Sequence, residues 1–333
     1  METSGILKNY DKFEVLKRAS GINLKQYNFT YRAPEPYTSS TSIRKYKDFW
    51  FELPSGKGIF KTFDSGYNRE LKDIRIINEL LCMELCSQID INHALYQPAH
   101  FEKDYGLISY NIVGENQKMV TLAQFLSYDN GLSNNLLDIV EALDYYEQQG
   151  YVINKDQIVF DIFKLLVIDA LTMQTDRNNF NINFIFNQST LEISVAPLFD
   201  NEYAFCMELA KFIYENEEDK TFDSFVKKFS HDAKMLNVEN ENYYNENAYY
   251  NNVKNLVNLA KSNKQMYEFL QNALKNLNIE AAINQVESLG YIISPEYKLY
   301  ITNVIQHTKE LFEKELASPT TEETTYLYDE FIK

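Results

Sequence analysis

The chain has 333 residues, 45% of them apolar, with 25 Tyr, 22 Phe and a formal net charge of -16. This is too much apolar material for a disordered chain and too long a chain for one small core, so a large bilobed unit or two domains is expected. The acidity argues against nucleic acid or anionic membranes as partners bound through general charge, while a local basic site for a nucleotide remains open.

The N-terminal third reads as strands with one helix. Lys47 to Leu53 is aromatic and apolar, Pro54-Ser55-Gly56-Lys57-Gly58 is a turn, and Ile59 to Phe63 alternates, which makes a hairpin with Lys61 on its second strand. Asn68 can cap a helix from about Arg69 to Gln88, where Ile74, Ile77, Leu81 and Leu85 share one face. Strands over 95–101 and 107–113 are joined by a polar turn at Lys103-Asp104-Tyr105-Gly106.

The remainder is mostly helical. Helices are expected from Ser133 to Gln148, which Gly150 ends, and from Asn154 to Thr172. The second is apolar nearly all round and so is read as buried. Ile182 to Phe186 and Leu191 to Val195 pair across the turn Asn187-Gln188-Ser189-Thr190. Four or five helices follow Asp200, the last opened by Ser294-Pro295-Glu296 and running to about Leu316. The Asn- and Tyr-rich stretch 237–255 reads as a long polar loop, and the acidic, Thr-rich tail 318–333 as mobile.

Cys82, Cys86 and Cys206 form an odd set without framework spacing, and the four His are scattered, so buried thiols are expected rather than disulfides or a Cys/His metal centre. Met1 to Lys8 has no apolar signal core. The longest apolar stretch, Phe160 to Leu171, is broken by Asp161, Lys164 and Asp169 and is too short to span a membrane. A soluble chain in a reducing, cytoplasmic compartment is expected, with delivery into another cell left open.

The chemistry concentrates in two segments. Asp176 precedes Asn181 by five residues, and Asp200 follows the two short apolar runs. Phosphoryl transfer from a magnesium nucleotide needs a carboxylate at the attacking hydroxyl, and an Asn and a second carboxylate on the metal, in this chain order. Lys61 on a strand would neutralise the α- and β-phosphates of ATP, and Glu79 on the following helix would hold Lys61 in place. Taken singly each residue has a plainer reading: Lys61 a solvated side chain, Asp176 and Asn181 turn formers, Asp200 a helix cap. Their order and spacing together make Asp176, Asn181 and Asp200 the candidate catalytic set, with Asn181 and Asp200 on Mg2+.

The wording from Leu166 to Asn181, with Thr175-Asp176-Arg177-Asn178-Asn179-Phe180-Asn181 at its centre, resembles the catalytic loop of the HipA-like serine/threonine kinases. Ala196-Pro197-Leu198-Phe199-Asp200-Asn201 resembles their metal-binding segment, Ile59-Phe60-Lys61 their nucleotide-lysine strand, and Ile77 to Cys86 their first helix. The resemblance covers roughly residues 40–315. It implies an α+β, bilobed protein-kinase-like fold, with a small antiparallel-sheet N-lobe over 1–113 and a larger helical C-lobe over 114–317. It further implies ATP and Mg2+ as cofactors, a protein substrate with a Ser or Thr acceptor, and an antitoxin partner that restrains a growth-arresting toxin.

Asn178 stands where the family has His, at the edge of the nucleotide. The chain is short for the family and looks like its compact, stand-alone members. The phosphate loop is expected at Tyr37 to Lys45, where Ser42, Arg44 and Lys45 would meet phosphate without the help of glycine. Ser39, Ser40, Thr41 and Ser42 are its candidates for inactivating autophosphorylation. The Asp-Arg-x-x-x-Asn pattern also resembles the catalytic loop of phosphatidylinositol kinases, so a lipid kinase is one alternative. A catalytically inactive kinase fold acting as a binding module is another.

Overall fold

The computed structural model describes residues 30–31, 50–53, 56–61, 72–101, 104–129, 136–206 and 248–319. The segment 37–45, where the phosphate loop is expected, with Ser42, Arg44 and Lys45, the expected cap residue Asn68 and the residues beyond 319 lie outside the described residues.

The N-lobe is an antiparallel sheet with one helix behind it. Strands β1 (Thr30–Tyr31), β2 (Trp50–Leu53), β3 (Gly56–Lys61), β4 (Tyr96–Phe101) and β5 (Asp104–Tyr110) lie in the order β1-β2-β3-β5-β4. The expected hairpin is present, with Leu53 opposite Gly56 and Lys61 at the end of β3 opposite Leu107. Its turn is tighter than the sequence reading, since Gly56 to Gly58 already pair. The β4–β5 turn is tighter for a similar reason, because Asp104 to Gly106 belong to β5. A side chain at Gly106 would collide with the backbone carbonyl of Lys61, so only glycine lets β5 lie against the end of β3. The strand stops at Tyr110, not at Val113, where the Asn111 amide bonds Val113 at both its N–H and its C=O.

Helix α1 (Lys72–Gln88) buries Ile74, Ile77, Leu81 and Leu85, as its spacing predicts. Ile76, Leu80, Cys82 and Cys86 on the other faces are buried as well, because α1 lies between the sheet and the helical lobe. The Asn78 amide donates to the carbonyls of Glu202 (3.2 Å) and Ala204 (2.8 Å), and its oxygen accepts from Tyr297 Oη. At the far end Gln88 and the backbone of Asn278 exchange two hydrogen bonds, 3.0 and 2.7 Å. One continuous apolar cluster runs from α1 into the C-lobe.

The C-lobe opens with two elements the sequence reading missed. They are strand β6 (Gln117–Thr121) and the single-turn helix α2 (Leu122–Phe125), joined by a Thr121/Gln124 capping box. Helix α3 (Leu136–Gln148) and the short strand β7 (Val152–Ile153) lead to α4 (Lys155–Leu171). The expected hairpin is β8 (Asn183–Asn187) and β9 (Glu192–Val195), in a sheet ordered β6-β8-β9-β7. Helices α5 (Ala248–Ser262), α6 (Lys264–Asn276), α7 (Ile279–Ser288) and α8 (Pro295–Ala317) complete the described residues. Ser294 caps α8 with Pro295 at its first position, as read.

The polar-loop reading of 237–255 is corrected from Ala248 onward. Composition hid the amphipathic spacing of Tyr249, Val253, Leu256, Val257 and Ala260, all buried in α5. This packing closes the C-terminal end of α4. Its last carbonyls would be orphaned in the core, but Tyr249 Oη donates to Ala170 O (2.8 Å), Thr308 Oγ1 to Leu171 O (3.0 Å) and Phe205 N–H to Thr172 O (2.6 Å). The loop after α4 therefore leaves a rigid support.

Candidate active site

The site lies where β3, α1, the loop after α4 and the segment after β9 converge. Lys61 comes from the end of β3 and Glu79 from the second turn of α1. The Lys61 ammonium pairs with the carboxylates of Glu79 and Asp200, and lies 3.3 Å from Glu202 Oε2. The ammonium thus donates hydrogen bonds to two carboxylates and is ion-paired with a third. Burial alone would push the Lys61 pKa down, but Asp200, Glu79 and Glu202 outweigh it and raise it well above the usual lysine range. Lys61 is therefore charged, and not the solvated side chain of the plainer reading.

Asp200 does not cap a helix. Its backbone is left-handed (φ 62°), a conformation Asp tolerates but does not prefer. The peptides around it are held from the N-lobe. Tyr96 Oη accepts from Asp200 N–H (3.2 Å), and Glu79 Oε2 accepts from Asn201 N–H (2.7 Å). Glu79 thus binds Lys61 with one oxygen and the segment after β9 with the other.

Asp176 and Asn181 are brought together as the spacing implies. Asn181 Nδ2 donates to Asp176 O (2.7 Å) and Oδ2 (3.2 Å), while Asn178 Nδ2 donates to Asp176 Oδ1 (2.9 Å). The Asn178 oxygen accepts from Phe180 N–H (2.9 Å), so both ends of this amide are engaged inside the loop. Gln174 Oε1 accepts from Asp176 N–H (3.2 Å) and fixes the start of the loop.

The sequence reading missed several members. Glu202 joins the lysine cluster with only 3% of its surface exposed, and no local pattern marks it. Arg177 is fully buried and forms a two-pronged pair with Asp169 of α4, Nε to Oδ2 at 2.9 Å and Nη2 to Oδ1 at 3.0 Å. Burial alone would lower the Arg177 pKa, but Asp169 raises it, so the guanidinium keeps its charge. A signal for this pair was present. A carboxylate in an otherwise apolar buried helix, as Asp169 is, requires a partner in the core.

The donor set fits a divalent metal ion. One oxygen each from Glu79, Asp200 and Glu202 lie within 4.8 Å of one another. Three carboxylates against one ammonium leave an excess of negative charge in a largely buried place, which a cation would compensate. Asn181 turns its amide nitrogen to Asp176, leaving the amide oxygen, a hard ligand suited to magnesium, on the other side.

No family model matches the sequence, and no curated protein does. Solved structures do match. The Helicobacter pylori proinflammatory kinase CtkA superposes with a TM-score of 0.65 at 12% identity, covering 89% of this chain and all of that one. A chain of the Shewanella oneidensis MR-1 toxin–antitoxin complex of HipA, HipB and operator DNA superposes with a TM-score of 0.45 at 14% identity. The match covers 85% of this chain and 66% of that one. Among the described residues no helix is long and apolar enough to cross a membrane. With a strand lysine on one side of the site and a helix-borne loop on the other, this chain has the α+β, bilobed kinase fold also seen in CtkA.

Proposed function

We propose that this chain is an ATP- and Mg-dependent serine/threonine protein kinase of the HipA-like type, acting in the cytoplasm as a growth-arresting toxin or effector. The observation that carries the reading is the meeting of Lys61 from the N-lobe sheet with Asp200 from the C-lobe, backed by Glu79, which bonds both partners' segments. A solvated lysine or an ordinary turn aspartate has no need of such a buried constellation. The lobes correspond to 1–113 and 114–317, with 318–333 as a tail.

MgATP, when bound, supplies the phosphoryl group and the charge that neutralises it as it transfers. Asn181 and Asp200 would hold the metal ion. Lys61 would turn its ammonium to the phosphates, with Glu79 retaining it in position. Asp176, oriented by the amides of Asn178 and Asn181, would accept the hydrogen bond of the attacking hydroxyl and take up its proton. Ser42, Arg44 and Lys45 would contribute to the phosphate loop. The resemblance of the catalytic loop adds a Ser- or Thr-bearing protein as substrate and an antitoxin protein as partner.

Incubation with radiolabelled ATP and magnesium, with and without cell extract, tests the reading. Asp176→Asn should retain nucleotide binding while transfer falls by roughly two to four orders of magnitude. A fully active Asp176→Asn protein would remove Asp176 from the chemistry. Label on phosphatidylinositol vesicles and not on protein would make the chain a lipid kinase. Absence of transfer to any acceptor would leave a binding module.

A further inference from the structure

We propose that Arg177 is a positioning residue of the metal site, one guanidinium that fixes the spacing between Asn181 and Asp200 and so makes the site selective for magnesium. The inference rests on the kinase reading, because it takes these two residues as the metal's ligands.

All five N–H groups of Arg177 are engaged, and they reach three separate segments. Nε and Nη2 bind the carboxylate of Asp169 on α4. Nη1 donates to the carbonyl of Asn181 (3.2 Å) and to that of Phe199 (2.7 Å). Nη2 also donates to the side-chain oxygen of Asn201 (2.6 Å). The carbonyl of one ligand residue, Asn181, and the two residues flanking the other, Asp200, therefore meet on one rigid planar group. That group is anchored to the helix that carries the whole loop.

The planar fork matters. Lysine has a single point of charge and no fixed angle between its donors, so it cannot hold two carbonyls in a set relation while also gripping a carboxylate at two points. Arg177 is fully buried, and Asp169 is 2% exposed. The low-dielectric surroundings strengthen each of these charge-assisted bonds. Asp200 in turn adopts a left-handed backbone, which tends to relax unless its neighbours are held. Arg177 holds those neighbours from the C-lobe, opposite Tyr96 and Glu79.

Magnesium demands near-ideal octahedral geometry at short distances, whereas calcium accepts longer and less regular coordination. A device that fixes the relative placement of two ligands therefore acts mainly on magnesium. Loss of the device should weaken Mg2+ strongly and Ca2+ little. A merely structural arginine would not discriminate between the ions.

The test measures nucleotide-induced thermal shift of the full chain with a non-hydrolysable ATP analogue, titrating Mg2+ or Ca2+, with an EDTA baseline. Arg177→Lys and Asp169→Asn are the direct variants. Asn201→Ala, which removes a single acceptor and keeps the buried pair, is the mild one should the others fail to fold. The Mg2+ midpoint is expected to rise about tenfold or more, as for other groups that orient metal ligands. The Ca2+ midpoint should move less than about threefold, since calcium tolerates looser geometry. Equal shifts for both ions, or no shift in a folded variant, would overturn the proposal while leaving the kinase reading intact. A wild-type protein whose nucleotide binding ignores both ions would remove the kinase reading and this inference together.

Discussion

Replacing Lys61 with Met, which keeps most of the side-chain volume, leaves the carboxylates of Glu79, Asp200 and Glu202 facing one another without their shared cation. Glu79 and Glu202 are 0% and 3% exposed, so water cannot replace the ammonium at either. Breaking a buried pair from one side typically costs about 3–5 kcal/mol. At roughly 2–4 °C per kcal/mol for chains of this order, the melting temperature should fall by about 6–20 °C, less where the carboxylates take up protons. The same deficit should be repaired by a divalent ion. Millimolar Mg2+ without nucleotide should raise the melting temperature of Lys61→Met more than that of the wild type, because an ion bound only by the folded state stabilises it. Calorimetry or circular dichroism melts in EDTA and in Mg2+ measure both effects. A Lys61→Met protein that melts within about 1 °C of wild type in EDTA, and gains nothing extra from Mg2+, would refute the account of Lys61 as the cation that holds the acidic cluster.

Further outcomes follow from the proposed function and from the fold. Asp200→Ala should abolish most of the magnesium-dependent part of the ATP-induced thermal shift while the nucleotide still binds weakly in EDTA. No ATP shift in the wild type at millimolar concentration with magnesium would contradict the nucleotide reading itself. Slow autophosphorylation is expected within Ser39 to Ser42, adding roughly -1.5 to -2 charges per site and lowering ATP affinity. Mass spectrometry locates the phosphate, and its appearance only at Thr320 to Thr325 would contradict the loop mechanism. Cys82, Cys86 and Cys206 are all buried, and burial raises the thiol pKa of Cys82 and Cys86. The folded protein should therefore resist a thiol reagent at neutral pH, with three thiols reacting only on denaturation.

Much of this site is written locally. The buried helix α4, the loop that leaves it and the β8–β9 hairpin are each specified by short-range periodicity and turn residues, so Asp176 and Asn181 could be placed at the end of α4 from sequence. The strand bearing Lys61 and the helix bearing Glu79 were legible for the same reason. Composition misled where it conflicted with spacing, as at Tyr249 and Val253, whose polar neighbours masked a helical stripe. The two-residue β7 is too short for a period to emerge, and β6, Gln-Lys-Met-Val-Thr, has no alternation of apolar and polar residues. Tertiary structure alone decided which charges meet. Lys61 and Asp200 are 139 residues apart and Asn78 and Tyr297 are 219 apart, distances over which no local pattern carries information. The sequence by itself determined that a carboxylate, Asp169, had to be satisfied inside an apolar helix. Only the folded chain selected Arg177 as its partner, because the cost of burying a charge is set by what surrounds it in space.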